Sequence, residues 1–221
     1  TAANGYYPAG SYVSGKVVDS MGGGICQVST TLYNAVLLSE LEITERHNHS
    51  MIVGYVDKSA DAAIAESAGK DFRFKNNTDY PIYVEGITSP DKHITFNIYG
   101  AEYRSANRKV HYESVILSTD VPTNEVIYAD ASQPVGYVKV QSAYTGYKAE
   151  LWKIVTVDGA EVSRTKVNSS TYKKSPRSAT VGTATGDPNI LAEINAAIGT
   201  NNIEHIKMRA AQLAAGQIYT N

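Results

Sequence analysis

The sequence predicts an α+β first domain, an elongated all-β module and a short helical tail, divided at residues 1–105, 106–185 and 186–221. Three observations predict it. One helical period, at Val28, Leu32, Ala35, Val36 and Leu38, stands among short alternating runs in the first hundred residues. From about 110 to 180 there are only β runs separated by turns, among them an Asp158-Gly159 hairpin signal. From Asp187, which is followed by Pro188 as an N-cap is by a first-turn proline, the helical period returns.

The elements follow in order. Residues 1–10 are turn-rich, and SYVSGKVVDS reads as one strand entering the loop Gly22-Gly23-Gly24. A helix from about Gln27 to Glu40 comes next, with Ser29 in its first turn. LEITERHNHSMIVGYV reads as a strand whose period of two puts His47 and His49 on one face and Arg46 on the other. Phe72–Phe74 and Tyr80–Gly86 read as further strands, Pro81 marking an edge or a strand start. HITFNIYG closes a hairpin, and the polar run 101–110 marks the boundary. In the tail, ILAEINAAI and IEHIKMRAAQLAAGQIY read as two helices, packed on the β module or on another copy of the chain.

Cys26 is the single cysteine of the 221 residues, so no internal disulfide is available. It sits where the glycine loop becomes the helix. Unpaired N–H groups and the positive end of the macrodipole favour a thiolate there. Gly23 and Gly24 let backbone approach a substrate and aim N–H groups at an oxyanion. His49, or else His47, is the candidate base; Asp61 is either the carboxylate orienting it or a turn carboxylate. Arg46 is a candidate partner for a substrate carboxylate. Ser29 either caps the helix or lines the site. Cys26, His47 and His49 are also a donor set for a three-ligand zinc; a structural zinc would need a fourth protein ligand, and no second cysteine exists. We expect no metal and no cofactor.

Net charge is −2 and the pI about 6.2, which gives no broad electrostatic case for nucleic acid. No apolar run reaches the roughly 18 residues that span a membrane. The first residue is Thr1, and we expect an excised fragment of a secreted or membrane-anchored protein. Sixteen tyrosines stand against three phenylalanines and one tryptophan. They suit either a thin β fold with amphipathic rings facing water or stacking platforms for sugars.

Three blocks in this order, GGGICQVSTTLYNAVL, ERHNHS at 45–50 and DFRFKNNTDYPIYV at 71–84, resemble the VanW domain family over roughly residues 5–100. These are cell-wall proteins of Gram-positive bacteria, first noted beside glycopeptide-resistance genes. The resemblance implies an extracellular, wall-associated protein whose partners are peptidoglycan stem peptides and glycan. It also implies a cysteine L,D-transpeptidase with Cys26 as nucleophile. Asp61 lies in SADAAI, where similar members carry an Asp-Ala pair. The better-known L,D-transpeptidases place histidine ahead of cysteine; here the histidines follow, so no residue is carried over from them. The segment of roughly 110–184 resembles the G5 domain through SVILSTDVPTNEVIY, QPVGYVKV, YTGYKAELWKIVTVDGAEVSRTKV and SPRSATVGTA. That implies wall adhesion and amino-sugar binding, or a spacer. The competing function is a wall-binding protein without turnover, in which Cys26 is a small buried residue.

Overall fold

The computed structural model describes residues 2–13 and 16–216. The strands are β1 (Pro8–Val13), β2 (Lys16–Met21), β3 (Glu42–Glu45), β4 (Arg73–Lys75), β5 (Tyr83–Thr88), β6 (Ile94–Tyr99), β7 (Arg108–Asp120), β8 (Glu125–Pro134), β9 (Val138–Gln141), β10 (Gly146–Val157), β11 (Ala160–Tyr172) and β12 (Arg177–Ala184). The helices are α1 (Ile25–Leu38), α2 (Pro188–Gly199) and α3 (Ile203–Ala214). The fold is mostly β, with a C-terminal helical tail.

The chain packs as two units. The first joins residues 1–120 to 146–173, and the second joins 121–145 to 174–221. This division differs from one made along the chain at 105 and 185. The cause is the hairpin β10–β11, which pairs antiparallel with β7. Its buried Leu151 enters the core formed by Tyr33 and Leu37 of α1 with Ala60 and Ala62.

In the first unit, β1–β2, β3–β4 and β5–β6 are antiparallel ribbons and β11–β10–β7 is a three-stranded antiparallel sheet. A single sheet carrying both histidines is therefore not what forms. β3 stops at Glu45, and residues 46–49 run as irregular chain, so the period-two argument that put His47 and His49 on one face does not apply to them. The single strand expected over SYVSGKVVDS is the hairpin β1–β2; Ser14 and Gly15, within it, lie outside the described residues. Past the end of α1, Glu40 accepts from Arg104 and Arg108 and pairs with Lys153, which ties β7 and β10 to the helix; those cations offset its burial and hold its carboxyl near 2.

In the second unit, β12 pairs parallel with β8 and antiparallel with β9. The tail helices pack on this sheet. Ala179 and Val181 of β12 share a core with Ile194 and Ala197 of α2 and with Ile203, Ile206, Ala210 and Leu213 of α3. Asp187 accepts from the N–H groups of Asn189 and Ile190, the N-cap expected of an Asp-Pro pair. Residues 217–219, the end of the second expected tail helix, lie outside the described residues.

Ile206 is fully buried in that core. Ile206→Ala is expected to destabilise the second unit by about 2–5 kcal/mol. Urea unfolding followed by amide hydrogen exchange reads this, with protection lost first in α2, α3 and β12.

Candidate active site

The glycine loop is shaped by its own turns. Gly22 N–H donates to Tyr7 O, Gly23 N–H to Ser20 O, Ile25 N–H to Gly22 O and Gln27 N–H to Gly24 O. Gly24, the N-cap residue, has φ +87°, a left-handed conformation that a side chain disfavours. At Gly23 an added Cβ would lie 2.0 Å from the Ala9 carbonyl oxygen, so only glycine fits against β1. Gly23 thus serves the packing of the loop, and its N–H is already spent. The N–H groups of Gly24 and Cys26 are the ones these turns do not use.

Cys26 is the second residue of α1 and is half-buried. Its thiol donates to Ile64 O at 3.4 Å, and the His49 imidazole is near enough to act on its ionisation. His49 is buried, with 8% of its surface exposed. Its Nδ1 donates to Asp61 Oδ2 at 2.7 Å, and its backbone N–H donates to the same oxygen at 2.7 Å. With Nδ1 engaged, Nε2 is the nitrogen left for the thiol. The edges of Tyr12 and Tyr55 flank the imidazole, with ring centroids 6.3 and 6.4 Å away.

Asp61 has no exposed surface. Its Oδ1 accepts from Arg46 Nη2 at 2.8 Å and from the Tyr172 hydroxyl at 2.5 Å. Arg46 Nε donates to the Asp61 carbonyl at 2.6 Å, and its remaining N–H groups reach Ser59 O, Ser170 Oγ and Asn168 Oδ1. The guanidinium is 6% exposed. A partner for a substrate carboxylate, the role expected of Arg46, does not fit this position, because the group is spent on Asp61. His47 points elsewhere: Nε2 meets Glu45 Oε1 at 3.1 Å on a partly exposed side chain. Ser29, buried, donates to Ala62 O at 2.6 Å, and Thr30 both donates to Ala62 O and accepts from Ala62 N–H. These bonds fix the start of α1 against the segment that bears Asp61. The structure therefore brings Cys26, His49 and Asp61 together, with Arg46 and Ser29 as supports, and leaves His47 outside. Among the described residues no three His, Cys, Asp or Glu side chains converge as a metal centre requires, and the set Cys26, His47 and His49 is not assembled.

The electrostatics follow from this chain of contacts. Burial raises the Cys26 thiol, but the hydrogen bond from His49 and the charges of His49 and Lys70 outweigh it and leave the thiol below its ordinary value. Burial lowers the His49 imidazole, yet its hydrogen bonds to Asp61 and Cys26 raise it to about 9. Burial raises Asp61, while His49, Arg46 and Tyr172 hold it down. Both directions move the pair from thiol and imidazole towards thiolate and imidazolium.

Tyr172 and Ser170 come from β11, more than a hundred residues from Asp61 in sequence. Sequence reasoning missed them, and also Tyr55 and Tyr12. No local pattern marks Tyr172, since strand periodicity does not say which distant loop a ring meets.

A mostly β fold whose single cysteine stands at the start of α1 beside a buried histidine and aspartate, supported by a β hairpin from further along the chain, is the class defined so far. Residues 1–99 match the model of the VanW like protein family, and residues 112–184 match that of the G5 domain, in that order. Over 84 residues the chain is 43% identical to YoaR, an uncharacterised protein of Bacillus subtilis (strain 168). The stretch is 38% of this chain and 27% of that relative, so the chain spans about a quarter of the relative's length. An IgA1 protease G5 domain structure is similar at 28% identity over 38% of this chain and all of that one, with a TM-score of 0.22. The G5 domain of HP0197 is similar at 23% over 35% of this chain and all of that one, with a TM-score of 0.18. A VanW-like domain followed by a G5 domain is the composition of a cell-wall-related protein. Among the described residues no helix is long and apolar enough to cross a membrane.

Two outcomes are expected. Alkylation of Cys26 by iodoacetamide should persist at neutral pH, with an inflection below that of a free thiol; Asp61→Asn weakens the imidazolium and should move the inflection up. Tyr172→Phe removes one donor from a buried carboxylate and should cost about 1–3 kcal/mol in urea unfolding.

Proposed function

We propose that the protein is a peptidoglycan-modifying acyl transferase, an L,D-transpeptidase that acts through a Cys26 thioester. The observation that carries this is the convergence at the start of α1 of Cys26, of His49, which lowers its thiol, and of the buried Asp61 that accepts from His49 Nδ1. The match of residues 1–99 to the VanW like protein model supports the wall substrate.

The Cys26 thiolate attacks the carbonyl that joins the third residue of a stem tetrapeptide, a diamino acid, to terminal D-alanine. A C–S bond forms, and the negative charge moves to the carbonyl oxygen. The N–H groups of Cys26 and Gly24 at the start of α1 are the donors for that oxyanion; in measured systems one such donor contributes on the order of 3 kcal/mol. The C–N bond then breaks. The proton on His49 Nε2 passes to the leaving amine, and D-alanine departs. In the second half, the side-chain amine of a neighbouring stem attacks the thioester. His49 takes its proton, the C–S bond breaks, and the thiolate returns. Water in place of the amine gives a carboxypeptidase. Asp61 holds the imidazole through Nδ1 and stays ionised throughout. Arg46 and Tyr172 hold Asp61.

A second reading, wall binding without turnover, draws support from the ribbon β5–β6. There Tyr83 and Tyr99 are both more than half exposed and stack at 6.1 Å between ring centroids. Such a face suits a sugar ring.

Intact-protein mass spectrometry after incubation with purified disaccharide tetrapeptides separates the two readings. Acyl transfer predicts a mass increase equal to the donor minus D-alanine, absent in Cys26→Ala. His49→Ala should slow acylation by about 10²–10⁴-fold, whereas His47→Ala should stay near wild type. An unchanged mass, with no trimmed or cross-linked product in the supernatant, would leave the binding reading.

A further inference from the structure

Next to His49 lies a cavity of about 270 Å³, floored by residues 47–50 and walled by Lys70, Thr171 and Lys173. Its lining residues include two lysines and two histidines and no acid. Acids beside this lining are already held: Glu45 by His47 and Arg73, Asp71 by Arg73, and Asp61 by Arg46, His49 and Tyr172. Hydrogen bonds to backbone carbonyls fix the chain around the cavity. Lys173 N–H donates to Ser50 O at 2.7 Å. Asn48 Nδ2 donates to Thr171 O at 3.0 Å, and half-buried Lys70 Nζ donates to Asn48 O at 3.0 Å. Lys70 is also close enough to Cys26 for its charge to act on the thiolate.

We infer that this cavity is a subsite for a carboxylate of the peptide substrate, held by Lys70 and Lys173. A concave site lined by one sign of charge concentrates ligands of the other sign, and an ammonium–carboxylate hydrogen bond is among the stronger polar contacts. The role given to this subsite rests on the acyl-transfer reading: an anchored carboxylate beside His49 brings a nearby carbonyl to Cys26. It also supplies the substrate-carboxylate contact that Arg46, turned inward, does not.

The test measures binding of N-acetyl-D-alanine and of N-acetyl-D-alaninamide to the full chain carrying Cys26→Ser, by amide chemical-shift titration. The free acid should bind about tenfold more tightly than the amide, with shifts centred on His49, Lys70 and Lys173. Lys70→Gln with Lys173→Gln should erase the preference, and Lys207→Gln in the second unit should not. Equal affinity for acid and amide, or a preference that survives the double variant, would overturn the subsite. The variant has no thiol, so the result is independent of turnover. A carboxylate preference here beside a wild-type protein that never acylates would retire the transferase and leave the subsite standing.

Discussion

A carboxylate with no exposed surface can stay ionised only if donors surround it, and in this chain Asp61 gathers its donors from two separate stretches. Residues 46 and 49 come from the irregular run after β3, and residue 172 comes from the end of β11. His49 gives both its ring nitrogen and its backbone N–H to one oxygen. Two bonds from one residue to one atom fix where the ring lies as well as how it is turned. The position of the thiol follows, because Ser29 and Thr30 hold the first turns of α1 against Ala62, next to Asp61 in the chain.

The same requirement explains why the first unit takes in β10 and β11. Arg46 has more donors than Asp61 can use, and Ser170 and Asn168 accept the rest. Asn168 in turn donates to the Tyr33 hydroxyl inside α1's core, and Leu151 fills the same core from the neighbouring strand. A chain cut at residue 105 would lose those acceptors, the Tyr172 hydroxyl and part of the apolar core together. Polar satisfaction and apolar packing are thus met by one hairpin, although it lies within the G5 stretch.

How much was legible in the sequence depended on the range of the interaction. The cysteine at a loop-to-helix junction is local, and glycines followed by a helical period point to it. The tail helices and the Asp187 cap are local as well. Reading 41–56 as one strand went astray because alternation of polar and apolar residues continues past Glu45, while the backbone there is committed to other bonds: His47 O accepts from Ala63 and the His49 N–H goes to Asp61. Arg46 was placed on the wrong face by the same extrapolation. Tyr172 was invisible, because a tyrosine in a strand of a chain with sixteen of them carries no sign of its distant partner.

Charge along the network alternates. Arg46 is positive, Asp61 negative, His49 positive as imidazolium, and Cys26 negative once its thiol ionises. Each neighbour stabilises the charged form of the next, and the set sums to zero, which makes four largely buried charges tolerable. Removing one member leaves its neighbour uncompensated, so the loss on substitution exceeds the worth of the single bond deleted. It also propagates: without Asp61 the imidazole falls back towards its ordinary value, and the thiol then rises. Linkage gives the sign of the stability effect. His49 is raised from about 6.5 to about 9 on folding, so its contribution is complete below pH 6.5 and disappears as pH climbs through 9. Asp61 is lowered, so its contribution is complete above the unfolded carboxylate value and is lost as pH falls through the folded one. The stretch between those limits is where the pair stands charged and His49 still carries the proton that a leaving amine requires.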